Sequence, residues 1–94
     1  MKNNKFKKNE IPYFCWDRKD TVNDIFKRID GSEKYKTIAW LLREAKFQDV
    51  WFFIKPQELF LNYSKIEKYL GKDKLFWSYI IGEWNELGKF KSTN

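Results

Sequence analysis

A chain of 94 residues with one cysteine and no histidine holds one domain and excludes an intrachain disulfide framework, structural zinc sites and Ser-His or Cys-His catalysis. Aromatic residues make up 20% of it, five of them Trp, enough to build a core from a short chain and leave some aromatic surface exposed. The net charge of +6 lies in the ends: six of the nineteen basic residues sit at Lys2, Lys5, Lys7, Lys8, Lys89 and Lys91, and the remaining thirteen are matched by thirteen acids within residues 10–88.

Residues 1–9, MKNNKFKKN, are polar and cationic, with Phe6 the only large apolar side chain. That composition predicts a disordered, solvated basic arm. No apolar run follows it, so no signal peptide is expected and the cytoplasm is the expected compartment, which a lone thiol also suits. Ile11–Asp17, IPYFCWD, is dense in aromatics, and Pro12 discourages helix up to Ile11. The expectation is an extended or single-turn segment that plugs Tyr13, Phe14 and Trp16 into the core, with Cys15 a small buried apolar residue.

Thr21-x-x-Asp24 has the spacing of a capping box, and Val22, Ile25, Phe26 and Ile29 recur at helical intervals after it. Gly31 is expected to stop this helix in a left-handed conformation, and Ser32 to cap a second one running to about Lys46. There Ile38, Leu41, Leu42 and Ala45 form the apolar stripe, with Tyr35 and Ala39 at its margins. Trp40 lies about 160° away from Leu42, on the side of Lys36 and Arg43. It must therefore face solvent or a second layer; the layer on offer is Tyr13–Trp16 folded back over it.

Phe47–Ile54, FQDVWFFI, suits a strand or a short helix that Asp49 can cap. With no second strand-like run to pair with, a short buried helix is the better solution. Pro56 fits the first turn of the next helix, whose apolar face is Leu59, Phe60, Tyr63, Ile66, Tyr69 and Leu70. Ser64-x-x-Glu67 offers a second capping box and a break near Asn62–Tyr63, and Gly71 ends the segment. Lys74–Gly88, KLFWSYIIGEWNELG, is apolar over about two-thirds of its circumference. Such a helix calls for neighbours on most sides, and it is too short and too interrupted by Glu83 and Glu86 to span a membrane.

The predicted fold is therefore all-α: a single compact domain of five or six short helices around a C-terminal aromatic-rich central helix, with Phe76, Ile80 and Trp84 fully buried. The helical domain occupies residues 10–88, between the arm 1–9 and a basic tail 89–94. Carboxylates occur singly, the glycines are scattered as helix stops, and neither a catalytic constellation nor a cofactor or metal site assembles; the chain reads as a non-enzyme. Residues 21–46 have the outline of a helix-turn-helix, but their outward side chains are a mixed set without Asn or Gln placed to read a base. The alternative function is accordingly a DNA-binding regulator that uses residues 21–46 and the basic tails.

Pro12-Tyr13-Phe14-x-Trp16-Asp17, Ile38–Ala45 (IAWLLREA), Phe47-x-Asp49-Val50-Trp51, Tyr69-Leu70-Gly71 and Phe76-Trp77 together resemble an uncharacterised family of small bacterial helical proteins. Members and relatives with that opening are often encoded beside Abi-type nucleotidyltransferase toxins. The resemblance spans about residues 11–88, and departs from the family at Cys15, where another aromatic is expected, and at Arg18-Lys19. It implies an accessory, antitoxin-like protein-interaction module whose partner is a nucleotidyltransferase toxin. Trp40, Arg43 and Lys36 are the partner-binding candidates, since Trp beside Arg is the composition of an interface hot spot.

Overall fold

The computed structural model describes residues 6–15 and 19–88. They form five α-helices and no strand: α1 Val22–Ile29, α2 Lys34–Glu44, α3 Phe47–Phe53, α4 Pro56–Ile66 and α5 Lys74–Glu86. Single 3₁₀ turns lie at Tyr13–Cys15, Glu67–Tyr69 and Gly71–Asp73. The domain is all-α, as the hydrophobic spacing predicts. Trp16, Asp17, Arg18, the first five residues and the tail 89–94 lie outside the described residues, and so do the expectations placed on them.

Local signals set most of the boundaries. Thr21 Oγ1 accepts from the Asp24 N–H at 3.2 Å, and Asp24 Oδ2 accepts from the Thr21 N–H at 3.0 Å, so the capping box is closed in both directions. Pro56 occupies the first turn of α4. Gly71 turns the chain at φ +60°, open to glycine and costly for other residues. Other signals act differently. Asp30, in right-handed conformation, ends α1, and Gly31 has no positive φ. Glu33 rather than Ser32 precedes α2, without a side-chain cap. Asp49 stands in the first turn of α3, which Lys46 precedes. Helix α4 runs unbroken through Asn62–Tyr63 to Ile66 and tightens into the 3₁₀ turn only at Glu67.

The centre of the molecule is α2, not the C-terminal helix. Six consecutive residues of α2, Thr37 to Leu42, are buried, so neighbours cover it on every side. It packs against α1, α3 and α4 and against the turn Glu67–Tyr69. Helix α5 buries a single residue, Trp77; Ile80, Ile81 and Trp84 are half-buried and Phe76 is exposed. The expected burial of Phe76, Ile80 and Trp84 thus fails. Apolar coverage of a helix says that neighbours would be favourable, not that the chain has enough of them, and after α1–α4 have surrounded α2 only one side of α5 finds protein.

Helix α3 joins two aromatic clusters. Its end sends Phe52 and Phe53 toward Phe6, whose ring centroid lies 5.2 and 5.7 Å from theirs, and Phe14 and Phe26 complete that group. Its start sends Phe47 and Trp51 toward α5, where Phe47 stacks on Trp77 at 5.6 Å and Trp51 meets Trp84 at 5.9 Å. Phe6 is therefore core, and the domain begins earlier than the lysine-rich composition of residues 1–9 implies. A buried Phe contributes about 1.5–3 kcal/mol, and the Lys8 and Glu10 carbonyls accept backbone bonds from Asn23 and Val22.

Candidate functional site

Two surfaces could serve recognition, and they differ in chemistry. From Glu33, just before α2, residues three or four apart bring Lys36, Thr37, Trp40 and Arg43 to the same side; with Arg28 of α1 they line a groove of about 250 Å³. The three partner-binding candidates are thus neighbours in space. Trp40 itself is not the exposed anchor its helical phase allows. It is 8% exposed and packs edge-on against Phe14 at 5.4 Å, because the Tyr13–Cys15 turn folds back over α2. Only its rim reaches the groove.

The groove's cations are already engaged. Arg43 Nη1 donates to the Tyr69 carbonyl at 2.7 Å, which pins the turn after α4 to α2. Arg28 pairs with Asp20 at 3.5 Å, and Lys36 with Glu33 at 3.8 Å while lying 6.0 Å from the Tyr69 ring.

The second surface is the outward side of α5. Trp77, Ile81 and Trp84 point inward, and the Tyr63 hydroxyl bonds Ser78 Oγ at 2.8 Å on the same flank. Opposite them Leu75 is 84%, Tyr79 65%, Phe76 52% and Leu87 74% exposed. Phe47, also exposed, extends the strip edge-on from Phe76 at 6.3 Å. Single exposed apolar residues are ordinary, but this many on one helix side form a patch of the kind that marks an interaction site.

One polar constellation has no signal in the sequence. The Tyr13 hydroxyl donates to Asp49 Oδ2 at 2.5 Å and accepts the Lys46 N–H at 2.8 Å, across 36 and 33 residues. Burial first, and the carboxylate second, raise the Tyr13 pKa above its ordinary 10.0. The arrangement ties the N-terminal turn to the start of α3. Among the described residues no three Asp, Glu or Cys side chains group as a metal-binding set, and no helix is long and apolar enough to cross a membrane.

Comparison with known proteins gave no matching family model, no matching curated protein and no matching solved structure.

Proposed function

We propose that this chain is a small non-catalytic protein-interaction module of the cytoplasm, antitoxin-like in role, that works by presenting apolar surface to another protein. The observation that carries this reading is the strip Leu75, Phe76, Tyr79 and Leu87, which the fold holds on a rigid helix and leaves in water. Aromatic and aliphatic side chains fixed on a helix lose little freedom on docking, which is the economy of helix-in-groove recognition. The resemblance supplies the expected partner class, a nucleotidyltransferase toxin, and the buried lone thiol Cys15 suits a reducing compartment.

The DNA-binding alternative fares less well on physical grounds. A recognition helix needs a continuous exposed side, and α2 exposes only Lys36, Arg43 and Glu44 along its length, one of them acidic. The test is capture of interacting proteins from the native host by the tagged full chain at rising salt. Retention of a captured protein from about 0.1 to 0.5 M salt, lost in Leu75→Ser/Tyr79→Ser but not in Lys36→Ser/Arg43→Ser, supports the strip. Capture that vanishes with salt and brings down DNA overturns it.

A further inference from the structure

Helix α5 carries a residue pattern that its own fold does not use. Leu75, Tyr79, Gly82 and Glu86 follow one another at steps of four, three and four. Wound at about 100° per residue they fall within about 60° of one another, on the exposed side. Gly82 is the unexpected member. Glycine weakens a helix interior relative to alanine, no positive φ calls for it here, and a Cβ built on it meets nothing within 4 Å among the described residues. No described residue fills its notch.

We propose that, in the unpartnered protein, α5 packs antiparallel against α5 of a second copy of this chain, forming a two-fold dimer; the inference rests on the reading of the strip as a docking surface and names what covers it before another protein does. Steps of four, three and four read the same in both directions, so the pattern is complementary to itself under a two-fold axis midway along it. That axis sets Tyr79 of each copy over Gly82 of the other, a large side chain into the space left by the smallest. It sets Leu75 beside the methylenes of Glu86, in the manner of an antiparallel helix pair. Phe76 and Leu87 widen the contact on one flank.

The charges independently favour the same partner. Lys72 and Lys74 stand at the start of α5 and Glu83 and Glu86 at its end, all exposed; its first turn has no acid and its last turn no base. The last turn opposes the helix dipole, which favours bases there, while Asp73 at the N-cap suits it and leaves the Lys72–Lys74 start with one net positive charge. Antiparallel pairing brings the lysine end of one copy alongside the glutamate end of the other and sets the two dipoles antiparallel. The glutamates of the last turn, unfavourable within one helix, meet the lysines of the other.

Gly82→Gln is the decisive variant, because it fills the notch while improving the helix of the single chain, so loss of folding does not confuse the result. Sedimentation equilibrium of the full chain over about 5 to 200 µM should show the mass rising toward twice the 11.6 kDa of one chain, as mass action requires. Gly82→Gln should lower the association constant tenfold or more with helicity by circular dichroism unchanged or higher. Lys72→Glu/Lys74→Glu should also weaken association, and adding Glu83→Lys/Glu86→Lys should restore it. A wild-type chain that stays a monomer throughout, or a Gly82→Gln dimer of unchanged affinity, overturns the proposal. If the monomer still captures a different protein through Leu75 and Tyr79, the docking strip stands and only its occupant was wrong; if that capture is also unaffected by Leu75→Ser/Tyr79→Ser, both fail.

Discussion

Adjacent residues on α5 should differ several-fold in what they contribute to stability. Trp77 is 2% exposed, stacks on Phe47, meets Trp51 edge-on at 6.1 Å, and donates its indole N–H to the Leu42 carbonyl at 3.3 Å. That carbonyl belongs to the last turn of α2, where helix acceptors lack their usual partners; the Lys46 N–H, next in helical sequence, goes to the Tyr13 hydroxyl instead. Trp77→Ala therefore opens a cavity and removes a helix-end donor at once, about 4 kcal/mol of the roughly 5–14 available to a chain this size. Trp77→Phe keeps most of the ring area and loses the N–H, for about 2 kcal/mol. Phe76→Ala, from a ring already half in water, should cost about 1 kcal/mol. Urea unfolding followed by circular dichroism, at chain concentrations low enough to keep the protein monomeric, reads all three. If Trp77→Ala and Phe76→Ala fell within about 1 kcal/mol of each other, the assignment of Trp77 as the only buried anchor of α5 would be wrong.

Thr21→Ala should cost about 1 kcal/mol through the lost N-cap, again by urea unfolding. The Asp24 half of the same box adds a pH dependence: its backbone bond to Thr21, and then the Thr21 side chain, hold its pKa below the ordinary carboxylate value. The associated stability is present above that value and lost as pH falls through the lowered one. Burial, above all, raises both Tyr13 and Tyr63, so the folded chain keeps protons that the unfolded chain releases from about pH 10 upward. Stability should fall as pH rises past 10, and Tyr13→Phe should flatten that fall in alkaline thermal melts. Trp40→Ala, made against Phe14 rather than at a free surface, should cost about 3 kcal/mol by urea unfolding; a loss under 1 kcal/mol would return Trp40 to the interface candidates.

Helix content was legible because it rests on spacing within each segment. Thr21 to Ile29 contains its own cap and its own stripe, and Pro56 marks the start of α4 without reference to anything else. The rank order of burial was not legible, because it depends on which segments arrive first around a shared partner. In α2 the side chains from Thr37 to Leu42 are apolar or small on both sides, and α5 is at least as apolar. What separates them is cover: Phe14 closes over Trp40, as a folded-back Tyr13–Trp16 layer would, and α1, α3 and α4 surround the rest, while nothing within α5 announces that it goes without as much. Phe6 shows the same limit. Its neighbours Lys5, Lys7 and Lys8 describe a solvated arm, and one ring with Phe52 and Phe53 to bury against outweighs them. Of the candidate site, the grouping of Lys36, Trp40 and Arg43 followed from helical phase, while the α5 strip did not, since its exposure depends on the absence of a covering element.

Of the two surfaces, desolvation decides which can drive binding. A partner entering the α2 groove meets cations that already hold Tyr69, Asp20 and Glu33, so each new contact replaces an existing one. Exposed pairs of this kind are worth about 0–1 kcal/mol, and exchanging one for another leaves little net gain. The α5 strip has nothing to exchange but water. Leu75, Phe76, Tyr79 and Leu87 are each more than half exposed, and full burial of such a side chain returns about 1.5–3 kcal/mol before the costs of association. The polar groove is therefore better suited to orienting a partner than to holding one. A chain that had only the groove would recognise weakly and in a salt-dependent way; with the strip it should hold a partner in high salt, and Leu75→Ser/Tyr79→Ser should remove that capacity while Lys36, Trp40 and Arg43 stay in place.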